Sequence, residues 1–241
     1  EEAGERVPQA ARAAWAGPSP DLRLRRGSPV RAILAEAEEG AYDLVALGGG
    51  RGPDLPAFLA GPVALAVARR ASQSVLLAAT GWARLDRILI CTGGTTISWG
   101  AVEAGAWLAA ATGAEATILH VAGPVPSMYT GLPELEETLQ ELLQEETPLA
   151  RHLREGAALL ARLGVEGSLA LRHGAPAVEI LQEAERGDYD LLVLGASETA
   201  GRLREWLLGS VTWDVAEGTA RPVLVVRPFG AFAHPPLPAA G

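Results

Sequence analysis

One segment of this chain occurs twice without a gap. Residues 24–48 read LRRGSPVRAILAEAEEGAYDLVALG and residues 171–195 read LRHGAPAVEILQEAERGDYDLLVLG, with 15 of 25 positions identical. A repeat of this size is a supersecondary unit, so one fold has to serve both copies. The offset is 147 within the segment and 148 beyond it. There Gly61 aligns with Gly209, and Val75, Leu76 and Leu77 align with Val223, Leu224 and Val225. Upstream, Gly17 aligns with Gly164 and Leu22 with Leu169. Residues 84–147 have no counterpart in the first copy, which is therefore expected to lack its first two strands. The chain starts at Glu1 and its one methionine is Met128, so a processed or trimmed N-terminus is expected.

Each copy alternates short apolar runs with helical spacing. In the first copy, residues 1–16 read as weakly helical and residues 21–25 as a short strand. Ser28 and Pro29 open a helix that Gly40 ends. Strands follow over residues 43–47 and 74–79, with a helix over residues 57–70 between them. Residues 80–85 form the linker.

The second copy has strands over 87–92, 116–121, 168–172, 191–194 and 222–227. Helices are expected over 98–112, 134–163, 176–186 and 203–218, with Pro148 breaking or kinking the second of these. Residues 123–133 read as loop and residues from 228 as a loose tail. The domains expected are 1–80, 84–228 and a tail over 229–241. Strands alternating with helices, each strand apolar throughout, imply an α/β protein with a parallel sheet covered on both faces.

Composition excludes several classes. A net charge of -9 argues against a nucleic-acid partner, which calls for a basic face. All 20 basic residues are Arg, so no lysine-based phosphate loop can occur. No apolar run reaches the roughly 18–20 residues that cross a bilayer, and no secretory signal opens the chain. Cys91 is the single cysteine, which leaves no intrachain disulfide. A cytoplasmic location is the default expectation.

The stretch after residues 191–194 carries the chemistry. An apolar strand stops at Gly195, a polar loop follows, and Gly209-Ser210-Val211-Thr212 opens a helix. Backbone N–H groups at a helix start, with the helix dipole behind them, suit an anion. Ser210 and Thr212 add hydroxyls. A tight strand-to-helix turn that binds nothing is the competing explanation.

The strand RILICTGG, ILHV at the second strand, GDYDLLVLG and LLGSVTWDVAEGTARPVLVVRP resemble the universal stress protein family along the whole second copy. The first copy resembles the C-terminal part of the same domain. The resemblance implies a Rossmann-like, doubly wound, five-stranded sheet ordered 3-2-1-4-5. It implies pairing of the two copies through their last strands, residues 75–77 against 223–226, and a homodimer is a further expectation. It also implies an adenine nucleotide, ATP with a divalent cation, bound by the second copy.

On that basis Gly195, Ser197, Gly209, Ser210, Val211 and Thr212 are expected at the phosphates. Thr92, Gly93, Gly94, Thr95 and Val121 are expected at the base and ribose, with His120 beside them. The chain departs from the family's G-x2-G-x9-G-[ST] pattern. Its loop has one extra residue, Glu198 or Thr199 stands at the second glycine, and Gly93 stands where an acidic residue is expected. In the first copy Arg51 and Pro62 replace loop residues, so no nucleotide is expected there. Arg202 and Arg204 are the nearest cations to a polyphosphate.

No catalytic constellation assembles, so no enzyme is expected beyond slow, incidental ATP hydrolysis. Cys91 reads as a buried inert thiol, and His120 as packed or hydrogen-bonded. His152 and His173 lack ligand partners at metal spacing. The glutamates from Glu134 to Glu146 read as a solvated helix face. The alternative function is a nucleotide-free interaction module, such as the cytoplasmic tail of a transporter. It requires a crevice closed by side chains.

Overall fold

The computed structural model describes residues 20–48, 61–78, 84–123, 138–196 and 209–227. The first-copy elements are α1 (Pro29–Glu39), β1 (Leu44–Gly48), α2 (Pro62–Arg70) and β2 (Ser74–Ala78). The second copy begins with β3 (Arg87–Thr92), a 3-10 turn (Thr96–Ser98), α3 (Trp99–Thr112) and β4 (Glu115–Ala122). It continues with α4 (Leu139–Gln144), α5 (Pro148–Arg162), β5 (Gly167–His173) and α6 (Pro176–Arg186). It closes with β6 (Leu191–Gly195), α7 (Ser210–Gly218) and β7 (Val223–Val226). Proline opens α1, α2, α5 and α6, where its missing N–H costs no helical bond.

All these strands join one sheet in the order β1-β2-β7-β6-β3-β4-β5. The five strands of the second copy take the expected 3-2-1-4-5 order, and their pairings are parallel. Among the described residues the sheet has seven strands, because β2 runs antiparallel to β7 and adds itself and β1 to the second copy's five. Val75 pairs with Val225, Leu76 with Leu224 and Leu77 with Val223. Two strands that both end a repeat, each with an apolar open edge, satisfy their backbone groups by pairing with each other.

Side chains alternate between two cores, one on each face. Ile88, Ile90, Leu191 and Val193 face α3 and α5, while Leu89, Cys91, Leu192 and Leu194 face α2, α6 and α7. Full burial of Leu191, Leu192 and Val193 puts β6 at the sheet's interior. Among the described residues no helix is long and apolar enough to cross a membrane.

Several expectations change. Residues 21–25 form no strand. Their repeat counterpart β5 is held by β4, and among the described residues the first copy offers no equivalent neighbour. Ion pairs hold the segment instead: Arg25 Nε donates to Glu36 Oε2 at 2.9 Å, as Arg172 Nε donates to Glu183 Oε2 at 2.8 Å in the second copy. The long helix over 134–163 is two helices. Thr138 caps α4 in a capping box with Glu141, and Thr147 caps α5 with Pro148 in its first turn. The helical stretch breaks at Pro148, one of the two expected outcomes, and the proline opens the second helix instead of kinking one.

The helix expected over 57–70 begins at Pro62, after Gly61, and residues 57–60 lie outside the described set. Likewise α7 begins at Ser210, and residues 203–208 lie outside it. The expected helix over 1–16, the linker residues 80–83, the loop from 124 and the tail also fall there. Ser28 occupies the N-cap without a side-chain hydrogen bond.

Gly40 ends α1, but not as a left-handed cap: its φ is -86°. Glycine stands there because a Cβ would lie 2.2 Å from Cε2 of Tyr42. Gly187 at the end of α6 repeats the arrangement, 2.1 Å from Cε2 of Tyr189.

Candidate functional site

The order of the sheet makes a crevice. β3 and β6 lie side by side, yet the helix after β3 covers one face and the helix that precedes β7 covers the other. The chain therefore diverges at the carboxyl ends of β3 and β6, and a gap opens there. A cavity of about 410 Å³ occupies it.

The two sides of this cavity differ chemically. One wall is apolar: Leu119 and Val121 from β4, with Pro176 and Ile180 from α6. Opposite it stand Gly195 and the start of α7, Gly209-Ser210-Val211-Thr212. Cys91, Thr92 and Gly93 form the floor at the end of β3. The first turn of α7 presents backbone N–H groups that no helical carbonyl uses. Ser210 is exposed, whereas Thr212 is buried and its hydroxyl donates to the Gly195 carbonyl at 3.0 Å. Thr212 therefore spends its proton on fixing the helix start against the strand end.

Behind the floor lies a hydrogen-bond network. Thr92 Oγ1 accepts from the Gly94 N–H at 3.1 Å, and lies 2.9 Å from Ser98 Oγ and 2.7 Å from His152 Nε2. Ser98 gives its own proton to the Thr95 carbonyl at 2.8 Å. Thr92 must then donate to Ser98, and His152 Nε2–H must donate to Thr92. Burial holds the His152 imidazole below its ordinary pKa; Glu155 opposes this and His120 adds to it. His120 Nδ1 donates to the Thr92 carbonyl at 3.0 Å, which leaves its Nε2 as an acceptor when neutral. Cys91 is buried, and desolvation pushes its thiol far above the usual range, so it is inert.

Of the residues expected at a ligand, the cavity brings together Thr92, Gly93, Val121, Gly195, Gly209, Ser210, Val211 and Thr212. Gly94 and Thr95 do not line it. Gly94, at φ +72°, turns the chain away, and Thr95 caps the 3-10 turn through Ser98. Ser197, Glu198, Arg202 and Arg204 lie outside the described residues. Sequence reasoning missed Leu119, Pro176 and Ile180 as lining residues. Pro176 and Ile180 recur as Pro29 and Ile33 in the first copy, which marks them as packing positions and hides a second role.

The first copy keeps the backbone of this helix start. Gly61 has φ -59° and ψ 159°, against -61° and 156° for Gly209. Pro62 follows it where Ser210 follows Gly209, so both the N–H and the hydroxyl are lost.

A sheet wound on both faces, with a two-sided crevice at the switch between its first and fourth strands, defines a Rossmann-like α/β protein. The family model of the universal stress protein family matches residues 1–79 and 84–227. The chain belongs to that family. It is 33% identical over 150 residues to universal stress protein YxiE of Bacillus subtilis (strain 168), covering 59% of this chain and 99% of that protein. It is 34% identical over 143 residues to universal stress protein MJ0531 of Methanocaldococcus jannaschii, covering 58% and 81%. A crystal structure of a universal stress protein from Archaeoglobus fulgidus DSM 4304 superposes with a TM-score of 0.64 at 21% identity, over 94% of this chain and 75% of that one. At that identity the likeness concerns the fold alone.

Proposed function

We propose that the second copy binds an adenine nucleotide, ATP in the first instance, in the crevice between β3 and β6. The observation that carries this is the opposition of two unlike surfaces across one 410 Å³ cavity. A flat heteroaromatic base suits the wall of Leu119, Val121 and Ile180, and phosphates suit the N–H groups at Gly209, Ser210 and Val211. Such a volume lies in the range of small-ligand sites. Ser210 adds a hydroxyl donor; Thr212 holds the helix start in place. Gly93 has open space where a Cβ would stand, which leaves room for the ribose.

The protein then acts as a nucleotide-responsive regulatory protein of the cytoplasm, without dedicated catalysis. The first copy binds no nucleotide and serves to cover the β7 edge. The nucleotide-free alternative calls for a crevice filled by side chains; what supports the binding reading is the cavity between the described residues and the family to which the chain belongs.

The test is calorimetric titration of ATP into wild type and Ser210→Pro. Proline is tolerated at the first helical position, as Pro62 shows in the first copy, and it removes one N–H and one hydroxyl. ATP is expected to bind wild type and to lose at least about tenfold in affinity in the variant, since a single charge-assisted hydrogen bond is already worth that much. Equal binding by both would move the phosphates elsewhere.

A further inference from the structure

The polar side chains around the β3–β6 cavity are not equally free. Besides the inert Cys91, the described lining residues with a polar side chain are Thr92, His120, Ser210 and Thr212. Thr92 Oγ1 is fully used: it takes the Gly94 N–H and the His152 Nε2–H and gives its own proton to Ser98. Thr212 is buried and gives its proton to the Gly195 carbonyl. Ser210 stands at the start of α7, among the backbone donors that suit phosphate.

His120 differs from these. Its Nδ1–H donates to the Thr92 carbonyl at 3.0 Å, which fixes both the rotation of the ring and its neutral tautomer. The lone pair is then on Nε2. That atom has no hydrogen-bond partner among the described residues, yet it is not one of the side-chain nitrogens sealed away without a partner. It therefore opens onto the cavity that the ring lines.

The place of this acceptor selects what it can hold. His120 pairs with Thr92 where β4, the strand of the apolar wall, meets the β3 floor. In the sheet, β3 separates that wall from the β6 side, where α7 starts. Gly93 follows Thr92 and has no atom within 4 Å of where a Cβ would stand, so the space next to the ring is open. On its other side the ring meets the Gly94 turn, where a Cβ would come 3.7 Å from His120 Cε1. The part of a nucleotide that joins base to phosphates is the sugar, and its hydroxyls are donors that need an acceptor.

We propose that His120 reads the sugar: its Nε2 accepts a proton from a ribose hydroxyl, so the site prefers ribonucleotides to nucleotides without those hydroxyls. This rests on nucleotide binding in the crevice. A sugar that lacks the hydroxyls sets carbon against Nε2 and leaves that acceptor without a partner, which costs affinity.

The test is calorimetric titration of ATP and of dideoxy-ATP, which lacks both ribose hydroxyls, at pH 8, where imidazoles are neutral. Wild type is expected to bind ATP about five- to tenfold more tightly than dideoxy-ATP, as for one hydrogen bond. In His120→Asn the amide N–H can still serve the Thr92 carbonyl, and nothing stands at the place of Nε2. That variant is expected to bind the two nucleotides alike, with the loss falling on ATP alone. A second measurement needs no variant: in nitrogen-15 NMR of wild type, ATP is expected to shift the His120 Nε2 resonance further than dideoxy-ATP does. Equal binding of both nucleotides by wild type, an ATP preference kept in His120→Asn, or equal NMR shifts overturn the assignment of His120 and leave nucleotide binding standing. Failure of wild type to bind either nucleotide overturns both.

Discussion

The hydroxyl of Thr212 donates to the carbonyl of Gly195 at 3.0 Å, tying the first turn of α7 to the last residue of β6. The bond is shielded from water, because Thr212 is 5% exposed. Replacing Thr212 by Val keeps the shape and deletes the donor. Stability in urea is expected to fall by about 1 kcal/mol, the net worth of such a bond. ATP affinity is expected to fall with it, because the helix start is no longer held against the strand. Thr212→Ser should restore both. Unchanged stability and binding in Thr212→Val would show that packing alone positions the helix.

His152 makes stability depend on pH. Its imidazole titrates below its ordinary value of 6.5 because burial penalises the charged form, partly opposed by Glu155. Well above pH 6.5 the ring is neutral in both folded and unfolded chains and adds no slope. As the pH falls below 6.5 the unfolded chain takes up a proton first, so stability is lost until the folded pKa is reached. Urea midpoints between pH 7.5 and 5 are expected to decline in wild type and to decline less in His152→Gln, whose amide can still donate to Thr92. Nitrogen-15 NMR should report the Nε2–H tautomer for this ring at pH 7.5, as the Thr92–Ser98 chain requires.

The repeat made most of the fold legible. β3 and α6 begin and end where the sequence places them, because Arg87 and Pro176 mark their starts and the apolar pattern does the rest. Residues 21–25 misled for a physical reason. Their alternation is that of β5, but a strand exists only where a neighbour takes its hydrogen bonds, and β5 has β4. The split between α4 and α5 was hidden by continuous leucine spacing across it. Thr147-Pro148 is a start signal there, an N-cap and a first-turn proline together. In the site, glycine and hydroxyl residues drew notice, while the apolar wall of Pro176 and Ile180 looked like ordinary core. A single sequence cannot separate an apolar residue that faces a ligand from one that faces another side chain.

Asp190 and its repeat counterpart Asp43 should behave oppositely. The Asp190 carboxylate accepts two backbone N–H groups at the start of β3, and it is largely shielded, with a side chain 13% exposed. Its ion pair with Arg84 is solvent-exposed on the arginine side and adds little. Asp190→Ala is expected to cost about 2–3 kcal/mol, as hydrogen bonds to an ionised group do. Faster hydrogen exchange at the amides of Asp86 and Arg87 should accompany the loss. Asp43→Ala should stay within about 0.5 kcal/mol of wild type in the isolated chain, because the surface carboxylate holds nothing there. Equal costs at the two sites would mean that the first copy already has a strand seated on β1.

The same asymmetry is testable at the glycines that end α1 and α6. A methyl group at Gly187 would stand 2.1 Å from Cε2 of Tyr189, whose ring is buried and lies under the Arg87 guanidinium. That ring has no free space to enter, so Gly187→Ala must shift the end of α6 or the start of β6. It is expected to lose about 1–3 kcal/mol, the usual cost of overpacking. Gly40→Ala meets the Tyr42 ring at 2.2 Å, but that ring is 44% exposed and can swing outward, giving up only its hydrogen bond to Glu36. Its cost should lie within about 0.5 kcal/mol, as for surface substitutions in general. Thermal melts of the two variants side by side decide it. A penalty at Gly40 equal to that at Gly187 would mean that Tyr42 is buried in solution, with the β1 edge covered.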